Sequence, residues 1–113
     1  MASQTTALTV FSNYGDNRTY TTSGHVTSKP KLVIQKRKVP VGNQTVAETT
    51  VQVVHATADA ASVILKDKVS MMATVRTPLA GDSADVAAVL AIFRDIVAGD
   101  EFANAVTTQE YLV

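Results

Sequence analysis

A chain of 113 residues with 46% hydrophobic content is long enough for one domain with a real core. It has no Cys, which excludes disulfides, thiolate nucleophiles and Cys-based zinc sites, and an aromatic content of 5% without Trp leaves packing to Val, Ala and Thr. Net charge is zero, yet residues 1–76 hold nine basic and four acidic side chains while residues 77–113 hold one basic and six acidic. That division points to a polyanion partner for one surface, against the plainer reading of a solvated face.

The first predicted elements are strands. Ala7-Leu8-Thr9-Val10-Phe11 is rich in strand formers and stops at the turn signal Ser12 to Asn17. Arg18 to Thr22 follows, and the two runs predict an N-terminal hairpin. Lys31 to Val39 is the next strand, closed by Pro40-Val41-Gly42-Asn43. Thr45 to Thr57 is a long strand of mostly β-branched residues. Asp59-Ala60-Ala61 is a weak break before a last long strand, Ser62 to Thr77, which ends at Pro78 because proline cannot donate to a ladder. Its period of two is clear. Val63, Leu65, Val69, Met71, Ala73 and Val75 share one face, interrupted only by Asp67, and Lys66, Lys68, Ser70, Thr74 and Arg76 lie on the other with Ile64 and Met72 among them.

The chain then changes period. Asp82 or Ser83 suits an N-cap, and Asp85 adds negative charge to the first turn. Val86, Val89, Leu90, Phe93 and Val97 recur at helical spacing, with Gly99 as a C-cap candidate. Asp100 can cap a second helix through about Val106. Strands first and helices last predict an α+β architecture in a single domain over 1–113, with hairpin and sheet in 1–78 and a helical arm and tail in 79–113. The helical stripe needs an apolar surface to cover, and the apolar face of the 62–77 strand is the natural one. No apolar signal-peptide stretch occupies the first twenty residues, and the longest apolar run, Val86 to Phe93, is too short to span a bilayer. The sequence thus predicts a soluble, unprocessed chain without a membrane partner.

Enzyme chemistry is hard to place. His25 and His55 have no ligand spacing, and phosphate loops, a nucleophile elbow and HExxH are missing. The pairs Asp82/Asp85 and Asp100/Glu101 read as helix-start acids. The sequence predicts no catalysis, metal, cofactor or small-molecule substrate.

Nucleic-acid chemistry fits better. Between Asp16 and Glu48 there is no acid, and the segment carries Arg18, Lys29, Lys31, Lys36, Arg37 and Lys38. Such cations neutralise phosphates, and Thr, Ser and Gln beside them can reach sugars or bases. Strict alternation in KLVIQKRK puts Lys31, Val33, Gln35 and Arg37 on one face and Leu32, Ile34, Lys36 and Lys38 on the other. A one-residue slip in register would exchange Gln35 and Arg37 for Lys36 and Lys38. The scarcity of aromatic stacking platforms disfavours a standard RNA-recognition or OB domain.

The layout as a whole resembles the coat proteins of single-stranded RNA bacteriophages. ALTVFSNYGD looks like the family's first strand and turn, KLVIQKRK like an RNA-facing strand, and TTVQVVHAT like the next one. GDSADVAAVLAIFRDIVAGDEFANAV followed by QEYLV looks like its two helices and short tail. The resemblance implies an interlocked homodimer with one continuous antiparallel sheet, helices packed over the partner's sheet, and an icosahedral shell around genomic RNA. The virion is assembled in the host bacterial cytoplasm. It also implies an inner sheet face that in many members binds an RNA hairpin and represses translation. Carried over, the RNA-facing residues are Lys31, Gln35, Arg37, Thr50, Gln52, Lys66, Lys68 and Ser70, and the dimer interface is Val86, Val89, Leu90, Phe93 and Val97. The connection at Ala58 to Ala61 is shorter than the family's. Val69, Ser70 and Met71 stand where some members carry a base-stacking aromatic. The competing readings are a small RNA-binding repressor that does not assemble, and an adhesive subunit suggested by Thr/Val-rich strands. The two C-terminal helices and the missing signal peptide disfavour the adhesive one.

Overall fold

The computed structural model describes residues 3–113 and divides them into two compact units, residues 3–79 and residues 80–113. The first is a five-stranded antiparallel sheet in chain order: β1 Thr9–Tyr14, β2 Asn17–Thr21, β3 Lys31–Lys38, β4 Val46–Ala58 and β5 Ile64–Pro78. The second holds helices α1 Ser83–Ala98 and α2 Asp100–Thr108. The predicted α+β order of hairpin, meander and two helices is what the chain adopts.

The hairpin turn is tighter than the turn signal suggests. β1 runs on through Ser12, Asn13 and Tyr14, and Tyr14 pairs with Asn17, leaving only Gly15 and Asp16 between strands. Gly15 has φ of +58°, the left-handed conformation that such a short reversal needs and glycine adopts freely. The register shifts between Val10 and Ser12, so Phe11 forms a bulge in this edge strand. The ring of Phe11 packs 5.5 Å from that of His25, whose Nδ1 accepts the Lys31 backbone N–H at 3.0 Å. This ties the β2–β3 connection to the start of β3.

Between β4 and β5 the Asp59 carboxylate does the turning. Its Oδ1 accepts N–H groups from Ala61 at 2.9 Å and Val63 at 3.0 Å, which lets a short polar segment reverse two long strands. Asp82 is the N-cap of α1, with Oδ1 accepting from Ala84 N at 3.1 Å. Gly99 both closes α1 and starts α2. Asp100, expected as a cap, instead lies with Glu101 in the first turn of α2, where both carboxylates complement the helix dipole.

The single chain has little core. Among the described residues only Val33 and Ala56 are buried, near the half-buried Tyr20, Leu32, Ile34 and Val54. The apolar residues of β5, expected to be covered, remain open: Val69, Met71 and Val75 are 44–50% exposed. In the helical unit Val89, Leu90, Phe93 and Val97 are also exposed, and Val86 is half-buried.

Candidate nucleic-acid interface

The two faces of the sheet follow from register, because residues paired across an antiparallel ladder point the same way. Lys36 pairs with Thr50, and Thr50 with Thr74; Lys38 pairs with Glu48, and Glu48 with Arg76. Ile34 pairs with Gln52 and Gln52 with Met72, while Leu32 pairs with Val54 and Val54 with Ser70. Lys68 pairs with Ala56. The even-numbered residues of β3, β4 and β5 therefore form one face, which carries polar side chains on all three strands with Leu32, Ile34, Val54 and Met72 among them.

Hydrogen bonds knit this polar face together. Gln52 Nε2 donates to Ser70 Oγ at 2.8 Å, and the hydroxyls of Thr50 and Thr74 lie 3.4 Å apart. Arg76 Nε donates to Glu48 Oε2 at 3.0 Å. Lys36, Lys38 and Lys68 are exposed, and among the described residues their ammonium groups have no ion-pair partner. The face thus offers three free cations, one neutralised guanidinium, and a row of amide and hydroxyl groups, which is chemistry suited to phosphates and to sugar or base edges.

The odd-numbered face is different. On β4 and β5 it carries Val51, Val53, Val69, Met71, Ala73 and Val75; on β3 it carries Lys31, Val33, Gln35 and Arg37, and on β2 Arg18 and Tyr20. Arg37 there is engaged, its Nε donating to Asp16 Oδ1 at 3.3 Å.

The register therefore divides the residues expected to face RNA together. Thr50, Gln52, Lys68 and Ser70 share the polar face. Lys31, Gln35 and Arg37 stand on the opposite face, because Gln35 pairs with Val51 and Arg37 with Thr49. Lys66 lies in the irregular segment between the Ala58–Ile64 and Ala56–Lys68 pairs. In place of the three odd-numbered residues, β3 brings Lys36 and Lys38 to the polar face, and β5 adds Thr74 and Arg76. Their signal was in the sequence: the polar side of the last strand already contained Thr74 and Arg76, and the one-residue alternative on β3 was Lys36 and Lys38.

Among the described residues no cluster of His, Asp and Glu could hold a metal ion, and no helix is long and apolar enough to cross a membrane.

No protein-family model matches this chain, and no curated protein matches it. Solved structures do. The chain is similar to the virus-like particle protein of Beihai levi-like virus 32, with a TM-score of 0.76 at 14% identity over 96% of this chain and 89% of that one. It is similar to that of Wenzhou levi-like virus 4, with a TM-score of 0.74 at 18% identity over 95% of this chain and 77% of that one. A third match, the virus-like particle of bacteriophage AVE019, has a TM-score of 0.70 at 9% identity over 98% of this chain and 91% of that one. Over nearly its whole length the chain has the fold of these particle proteins.

Proposed function

We propose that this chain is a coat protein of a single-stranded RNA phage: it dimerises, assembles into an icosahedral shell and packages RNA against the polar face of its sheet. The carrying observation is the near full-length match in fold to proteins of virus-like particles. The exposed area supports self-assembly, since both the odd-numbered face of β4 and β5 and the stripe of Val86, Val89, Leu90, Phe93 and Val97 would lose their contact with water in a dimer. Burial of apolar surface is worth about 25 cal/mol per Å², so fold and dimer would be energetically inseparable. β5 is also a sheet edge of 15 residues, long enough for a second copy to extend the ladder into one continuous sheet.

The RNA-binding set in this proposal is Lys36, Lys38, Thr50, Gln52, Lys68, Ser70 and Arg76, with Lys66 beside it. The amide of Gln52 and the hydroxyls of Thr50 and Ser70 can also read unpaired bases, so the same face suits an RNA hairpin and a role in translational repression. The protein acts structurally, without catalysis or cofactor. It resides in the virion after assembly in the bacterial cytoplasm.

The test is expression in bacteria, purification by size, and electron microscopy. With no Trp and three Tyr the protein absorbs weakly, so packaged RNA would dominate the ultraviolet spectrum. Closed particles with a nucleic-acid spectrum are expected. A dimer that binds RNA but never closes a shell would establish the non-assembling RNA-binding module instead.

A further inference from the structure

A polar hollow opens at the turn end of the β1–β2 hairpin, lined by Gly15, Asp16, Arg18, Tyr20, Gln35 and Arg37. Arg18 pairs with Gln35 across β2 and β3, so guanidinium and amide stand side by side. The Tyr20 hydroxyl donates to Gln35 Oε1 at 3.5 Å, which occupies the amide oxygen and leaves its NH₂ group as a donor. Arg37 contacts Asp16 through its backbone N–H, which donates to the Asp16 carbonyl at 3.1 Å, and through Nε on the carboxylate, a one-point contact of the guanidinium whose terminal nitrogens can serve another acceptor. Arg18 has no side-chain hydrogen bond or ion pair among the described residues. The hollow therefore gathers two guanidinium groups and an amide donor around a single carboxylate. That is a site short of one planar anion.

Its location says which anion. The hollow lies on the odd-numbered face, beside Val33 and Val51 and away from the free lysines of the polar face. An occupant must bring apolar cover as well as charge. RNA brings phosphates but no aliphatic surface. Residues 80–113 bring both: six acidic residues against one basic one, on helices whose Val89, Leu90, Phe93 and Val97 are exposed. We propose that the hollow receives a side-chain carboxylate from the helical unit of a second copy of this chain, and that this ion pair fixes the position of one copy on the other. The inference rests on the self-assembly reading and adds to it a charged contact, in which the +5 and −5 halves of the chain meet between copies.

The test is Arg18→Glu, with Arg18→Gln as a milder variant, studied in the full chain by sedimentation at graded salt. Arg18 is exposed, so circular dichroism should show an unchanged fold. Self-association should weaken roughly tenfold, as expected for a charge-assisted bidentate contact. Replacing one of Asp82, Asp85, Asp95, Asp100, Glu101 or Glu110 by Lys in the Arg18→Glu background should restore it. Self-association unchanged in both variants would overturn the inference while leaving shell assembly by the parent protein intact. A weakened association that none of the six reversals rescues would overturn it too. So would a lowered RNA affinity with unchanged self-association, which would make the hollow an RNA contact. Failure of the parent protein to self-associate at all would instead remove the assembly reading beneath it.

Discussion

The register makes a quantitative prediction about RNA. Lys36, Lys38 and Lys68 are exposed, lie on the polar face and have no ion-pair partner among the described residues, whereas Arg76 on the same face is neutralised by Glu48 at 3.0 Å. Replacing the three lysines by Ala removes the free cations of that face and disturbs no internal contact. Each phosphate contact on a single strand contributes about 0.7 to the slope of log K against log salt, so losing three should flatten the slope by about 2. Extrapolated from a 1 M reference to 0.15 M salt, that corresponds to about 50-fold weaker binding. The assay is fluorescence anisotropy with a labelled RNA at protein concentrations below assembly, repeated across salt. The control is Lys31→Ala/Arg37→Ala, which removes two cations from the opposite face and should leave the slope as it was. A flattened slope in the control and an unchanged one in the triple variant would refute the face assignment.

Other predictions follow from the exposed stripe and the turns. Val89→Asp/Phe93→Asp should abolish dimerisation, because two carboxylates would be driven into the surface a second copy must dry; analytical ultracentrifugation should find monomer or unfolded chain. Gly15→Val should lower stability by about 1–2 kcal/mol, since nothing lies within 4 Å of the added Cβ and the penalty is that of a left-handed backbone alone. Thermal unfolding would register it, and Gly15→Asn should be milder. Asp59→Ala leaves the N–H groups of Ala61 and Val63 to water and should cost about 1 kcal/mol in the same measurement.

Much of the fold was legible because its signals are local. The stripe Val86 to Val97 defined α1, and Asp82 and Gly99 marked its ends. The alternation of the last strand named its two faces correctly from Lys68 to Arg76. What alternation does not contain is how one strand's faces align with the next. KLVIQKRK mixes apolar and basic residues on both sides, Leu32 and Ile34 with Lys36 and Lys38 on one and Val33 with Lys31 and Arg37 on the other, so neither side declares itself the core side. Leu32 and Ile34 look like the buried pair, yet Val33 is the buried residue, because Tyr20 and Val53 flank it in the ladder. The pairing of Lys36 with Thr50 puts the even-numbered side of β3 on the face of Thr50 and Thr74, and that is a contact between residues 14 apart in sequence. The Gly15-Asp16 turn was overestimated for a related reason. Ser12 and Asn13 read as turn formers, but an exposed edge strand accepts them once Gly15 supplies the reversal.

The central claim is that this chain encloses RNA with the even-numbered residues of β3 to β5 facing it. Ultraviolet cross-linking of purified particles, followed by mass spectrometry of the protein–RNA adducts, reads that contact residue by residue. The account predicts adducts on β3 at Lys36 and Lys38 and on β5 around Lys68 and Ser70. Adducts confined to Lys31, Arg37 or the helices α1 and α2 would contradict it.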